Sequence, residues 1–273
     1  MARTRVRTRI HPFPSVVALS TGIVLLVGVT ACDSETGASS GSGKDGAPVV
    51  VATTTWEGAF AKAAGAKDVK VIVPQSVQHA PDYDPKPSDL AAVADADFVL
   101  YAPFEPYAKK IKEAAGSDAE LVEVGLDNDA DKASAEVIRL GELFGTQDNA
   151  AKWQKSFKSE YSALQQELKE TWPDGKAPEV VAQVYSAWAA KMAGAQVRGT
   201  YGPDAVTAAQ LSDLTKKKPQ FVLDNLHMTT GKVLPDSGAG QVEIVNYPGN
   251  DLELMPVYRH AAETLEKALR GAS

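Results

Sequence analysis

From Pro48 onward the apolar residues fall into short runs separated by longer stretches of helical spacing. "PVVVATT" leads to "WEGAFAKAAGA" and "VKVIVP"; "SDLAAVADA" leads to "FVLYA", "FEPYAKKIKEAAG" and "LVEVG". Strand-length β-branched runs alternating with alanine-rich helices predict a parallel sheet with helices on its faces. The rhythm breaks at 148–172, where Trp153, Phe157, Tyr161, Leu164 and Leu168 recur at steps of four, four, three and four. That is one apolar stripe of a long helix, ended by "PDG". At 1.5 Å per residue it runs about 36 Å, enough to reach across two lobes. Another helix is expected over 132–144, ahead of it. Afterwards the βα rhythm restarts with "EVVAQVYS", "AWAAKMAGA", "QVRG", "AVTAAQLSDLTKKK", "QFVLDN", "VEIVNY" and a final helix through "PVYRHAAETLEKALRG". The expected fold is α/β: two Rossmann-like βα lobes, 49–147 and 174–273, joined by one long helix over 148–173. Lobes of this kind take a ligand in the crevice between them, where the loops leave the strands' carboxyl ends.

The first 31 residues read differently. "MARTRVRTRIHPFPS" carries four arginines and no acid, and "VVALSTGIVLLVGVT" follows as an apolar stretch too short for a span but suited to a secretory signal. It ends in "VTAC", and Cys32 is the chain's only cysteine, so it has no internal disulfide partner. "Val-Thr-Ala-Cys" resembles the bacterial lipobox, which implies a signal over 1–31, cleavage before Cys32 and lipidation of its thiol. The Gly/Ser-rich run 32–48 is then a flexible tether, and the body is held at the extracytoplasmic face of the cell membrane. Of 28 basic side chains the signal removes four, leaving 24 against 35 acidic ones, a net charge of −11. A surface of that sign excludes nucleic acid as a partner.

One loop carries chemistry. "QHAPDYDPKPSDL", 78–90, holds a histidine, three aspartates and three prolines. Prolines at 81, 85 and 87 bar both helix and inner strand and hold the loop stiff. Asp82 and Asp84 suit turn-capping, and Ser88 is expected to cap the next helix. There is no Gly-rich phosphate loop, no Cys/His metal spacing and no nucleophile elbow, so an enzyme reading has no anchor.

The stretch "HAPDYDPKPSDLAAVADADFVLYAPFEPYAKKI" resembles the zinc and manganese receptors of bacterial ABC importers. Tyr83, Asp84, Pro85, Pro87, Ser88, Asp89, Ala96, Asp97, Glu105 and Tyr107 fall on that pattern. The resemblance implies a monomeric solute-binding lipoprotein that performs no catalysis and uses no cofactor. It would capture Zn2+ or Mn2+ between its lobes and hand it to a permease and its ATPase. The ligand set departs from the family's. The first histidine's place is Pro81, with His79 nearby; "GLDNDADKAS" lacks the second. The third falls at Tyr185, or at Gln183 by another count, and the fourth, an aspartate, near Asn246. Against this, "FVLDNLHMTTG" brings Asp224 and His227 to the end of a lobe-two strand, and imidazole and carboxylate both suit zinc or manganese. His79, Asp224 and His227 are therefore the candidate ligands, with Tyr185 and Asn246 as substituted family positions. His260 is expected to be a surface or packing residue on the last helix. Two alternatives stand beside this reading. One is a small organic or chelated-metal cargo, contacted by Trp56, Tyr185 and Trp188. The other is an adhesin or interaction lipoprotein on the same fold.

Overall fold

The computed structural model describes residues 48–77, 80–116, 119–229 and 231–271. The signal segment, Cys32, most of the tether and His79 lie outside them.

Among the described residues, eight short runs, each containing valine, form strands. In lobe one these are β1 (Val49–Ala52), β2 (Asp68–Val71), β3 (Phe98–Tyr101) and β4 (Glu120–Glu123). In lobe two they are β5 (Glu179–Gln183), β6 (Gln196–Tyr201), β7 (Phe221–Asn225) and β8 (Gly240–Ile244). The sheet orders are β2-β1-β3-β4 and β6-β5-β7-β8, and every pairing is parallel. The connections leave β1 and β3 in opposite directions, as they do β5 and β7, so each sheet has a switch point between its central strands. Loops part there and leave room for a ligand.

Lobe one carries α1 (Thr55–Ala64), α2 (Pro87–Ala94), α3 (Ala108–Ala114) and α4 (Ala130–Leu143). The connector α5 spans Gln147–Glu170, followed by α6 (Ala187–Met192), α7 (Ala208–Lys216) and α8 (Met255–Gly271). None of the described helices is long and apolar enough to cross a membrane. The predicted α5 stripe is the buried one: Phe157, Tyr161 and Leu168 are buried, with Trp153 and Leu164 packed alongside. Trp153, Phe157 and Tyr161 stack in series, and Tyr258 of α8 meets Phe157, Tyr161 and Trp188 edge-on. One continuous core thus runs from the inner face of one sheet, through α5 and α8, to the inner face of the other. Two smaller clusters cover the outer faces. Gly65 closes α1 at φ 108°, where a Cβ would come within 2.8 Å of Asn149 on α5. Only glycine permits both the left-handed turn and that approach.

One cap differs from expectation. Ser88 is not the N-cap of α2; Pro87 takes the first helical position and Lys86 precedes it. The Asp89 carboxylate accepts from Lys86 N at 2.9 Å and from the Tyr83 hydroxyl at 2.8 Å. Proline's preset φ and missing N–H suit the first turn, so the helix starts at Pro87 and Ser88 already lies within it rather than ahead of it.

Candidate functional site at the inter-lobe crevice

Among the described residues, seven buried polar side-chain atoms have no hydrogen-bond partner: Thr53 Oγ1, Trp56 Nε1, Glu57 Oε1, Asn128 Oδ1, Ser186 Oγ, His227 Nε2 and Asn246 Nδ2. All seven sit just past the carboxyl end of a strand: β1 for the first three, then β4, β5, β7 and β8. Leaving a buried donor or acceptor unmet costs about 1–3 kcal/mol. Such a concentration on one face is the mark of a surface built for something polar.

The lobes already touch in the middle of this face. Asn128 of lobe one donates its Nδ2 to the Asn246 carbonyl at 2.9 Å, and Trp188 Nε1 donates to Asn246 Oδ1 at 2.8 Å. The Tyr258 hydroxyl donates to the Asn128 carbonyl at 3.0 Å. Beside this hub Trp56 meets Tyr247 edge-on, ring centres 5.2 Å apart. An opening lies on either side. The smaller, about 400 Å³, is lined by Trp56, Asn128, Tyr185 and Trp188 with an ion-paired rim of Asp129 and Lys191. The larger, about 690 Å³, lies between the loop after β2 (Val73 to Val77, and Ala80) and the loops after β7 and β8 that carry His227 and Tyr247.

The sequence-predicted residues divide between these places. His227 lines the larger cavity, its ring 4.7 Å from Tyr247. Its backbone N–H is held by Asn225 Oδ1 at 3.0 Å, and burial lowers the imidazole's pKa, favouring the neutral ring. Asp224 does not face that cavity. Its carboxylate accepts from Tyr201 Oη (2.7 Å), Asn225 N (3.0 Å), Thr229 Oγ1 (2.7 Å) and Gln241 Nε2 (3.3 Å). Those four donors anchor the loop on which His227 stands. Tyr185 is half exposed at the rim of the smaller cavity, and Gln183 is buried with its Oε1 accepting from Tyr185 N. Asn246 sits in the hub between the lobes. His260 is exposed on α8, as expected. Trp56, Tyr185 and Trp188, the aromatics singled out from the sequence, share the smaller cavity. Among the described residues, no three His, Cys, Asp or Glu side chains are grouped so as to hold a metal.

Sequence reasoning missed Asn128 and a carboxyl pair at the lobe-one switch point. Glu57, in the first turn of α1, is fully buried and accepts from Thr54 N at 3.1 Å. Glu105, just past β3, accepts from Ala102 N at 3.0 Å and Tyr107 Oη at 2.9 Å. None of these partners is cationic, so burial raises both carboxyls; Glu105, which also feels the charge of Glu57, is pushed up to about 8. Both carboxyls also act on Tyr247 across the crevice, whose hydroxyl burial pushes up to about 12.

Comparison with known proteins agrees with the resemblance. Residues 50–142, from β1 through α4, match the family described as zinc-uptake complex component A, periplasmic. No curated protein matches the chain. Three solved structures share its fold. FpvC of Pseudomonas aeruginosa, a solute-binding protein in complex with Mn2+, is 14% identical with a TM-score of 0.62, over 82% of this chain and 97% of that one. The laminin-binding protein Lmb of Streptococcus agalactiae, described as bifunctional with adhesin and metal transporting activity, is 17% identical, TM-score 0.62, over 81% and 99%. The periplasmic zinc binding protein TroA of Treponema pallidum is 16% identical, TM-score 0.59, over 82% and 99%.

Proposed function

We propose that this chain is an extracytoplasmic solute-binding lipoprotein of an ABC importer that captures a divalent transition metal, zinc or manganese, between its lobes. The observation that carries this reading is the set of unmet buried polar atoms gathered at the carboxyl ends of both sheets, on a fold shared with metal-binding receptors. Capture and release need no bond-making, and the crevice offers binding groups from both lobes. His227 is the donor from lobe two, and His79, in the proline-bearing segment 78–90, the donor from lobe one. Asp224 positions the His227 loop. Tyr185 and Asn246 stand where the family's remaining donors fall and contribute a rim and a hub instead. Phe104, Tyr185, Leu226 and Met228 are exposed around the same face, and apolar side chains so placed suit docking onto a permease.

A metal that binds only the folded crevice raises the melting temperature by mass action. Zinc or manganese is expected to do so with the full chain. His79→Ala and His227→Ala should each abolish most of that rise, and His260→Ala should leave it intact. Melts unmoved by either metal, whether added as the free ion or as a chelate, would defeat the reading.

A further inference from the structure

The larger cavity has the wrong chemistry for a bare divalent ion. Among its described lining residues none is Asp, Glu, Lys or Arg; polar groups such as Gln75, Ser76 and Thr229 alternate with apolar ones such as Val73, Pro74 and Leu226. A divalent ion bound there directly would bring two charges into a neutral, partly apolar wall, and burying charge without compensation is costly. The donors are too few as well. Zinc takes about four; the described residues nowhere group three His, Cys, Asp or Glu side chains, and His79, which lies outside them, would bring the count at this wall only to two. Asn128 and Asn246 add no charge, being bound to each other and to Trp188 in the hub between the lobes. The space, by contrast, fits a small molecule: about 690 Å³ falls within the roughly 300–1,000 Å³ range of organic-ligand sites. One group in the wall is a metal donor, His227, whose Nε2 is buried and has no partner.

Resting on the metal-receptor reading above, we propose that the cargo of this cavity is a transition-metal ion carried in a small organic chelate of zero net charge. His227 Nε2 fills a coordination position that the chelator leaves open. The chelator supplies the missing donors and cancels the ion's charge. The apolar wall covers its carbon skeleton, and the neutral polar groups meet its outer oxygens.

The test compares, on the purified full chain, zinc and manganese as free ions with the same metals in 1:1 complexes with iminodiacetate, which are neutral and coordinatively unsaturated. Native mass spectrometry reads what is retained, and calorimetry reads how tightly. The expected result is an adduct with the mass of metal plus chelator, bound at least about tenfold more tightly than the free ion, and weakened by about tenfold or more in His227→Ala. Circular dichroism establishes that this variant is folded. Free ion retained as tightly, without chelator, overturns the chelate proposal and leaves the metal receptor standing. No metal retained in either form overturns both. A metal–chelator adduct undiminished in folded His227→Ala overturns the role given to His227.

Discussion

Glu105 is a carboxylic acid that burial keeps protonated far above the ordinary carboxylate range. Its carboxyl titrates near 8 in the fold against an ordinary 4.5, because burial and then the charge of Glu57 oppose ionisation. Between those values the folded chain keeps a proton that the unfolded chain has released, so stability falls as pH rises through the window. Tyr107 and Tyr247, the other titratable groups facing the pair, stay protonated throughout it. His227 works in the opposite sense: burial lowers its pKa from 6.5, so its contribution is lost as pH falls below that. The Glu105 effect is therefore read above about pH 6.5. The melting temperature should decline from there to about pH 8, and Glu105→Gln, neutral at every pH, should make the decline shallower, the buried Glu57 carboxyl, also raised, carrying the rest. An equal slope in the variant would show the carboxyl to be ionised throughout. None of this was legible in the sequence, because the Glu57–Glu105 pair depends on β1 and β3 lying side by side. Asp224 shows the same limit. Its residue type and place at a strand end suggested a ligand, but Tyr201, Thr229 and Gln241 reach it from three other segments.

Elements were easier to read than contacts, because periodicity is local. Each described strand overlaps a stretch expected to be one, β6 with its polar, mostly exposed QVRGTY being the least apolar, and α5 begins and ends within two residues of the expected 148–172. The misses lie at boundaries. Pro87 opens α2 where Ser88 was expected to cap it. The predicted "FEPYAKK" helix begins only at Ala108, because Glu105 turns back to the Ala102 amide. The weight placed on α5 can be measured at Ala163, whose side chain is exposed. Ala163→Pro removes a backbone hydrogen bond and clashes with the preceding turn, costing ~3 kcal/mol or more. Since the stripe joins the cores of both lobes, the whole molecule should melt earlier, in one transition or as two uncoupled ones. An unchanged thermal melt would make α5 a peripheral helix.

For the whole molecule, the two lobes share one strand order without any repeat in sequence, so the symmetry belongs to the architecture. Apolar patterning announced two α/β lobes and a crevice; it could not announce which strands would lie adjacent, nor that two asparagines would bridge the lobes. Membrane attachment is a prediction at this scale, resting on the four residues "VTAC". Cys32→Ala should release the chain from membranes or leave it unprocessed, seen by fractionation of labelled cells. Membrane attachment at the mature length would refute lipidation at Cys32. The central claim is that the crevice receives a transition metal through His227. Its most direct test is elemental analysis of the full chain purified without added metal or chelating resin, beside His227→Ala prepared identically. The account predicts close to one zinc or manganese per chain in the first and little in the second. No transition metal in either, or equal amounts in both, would contradict it.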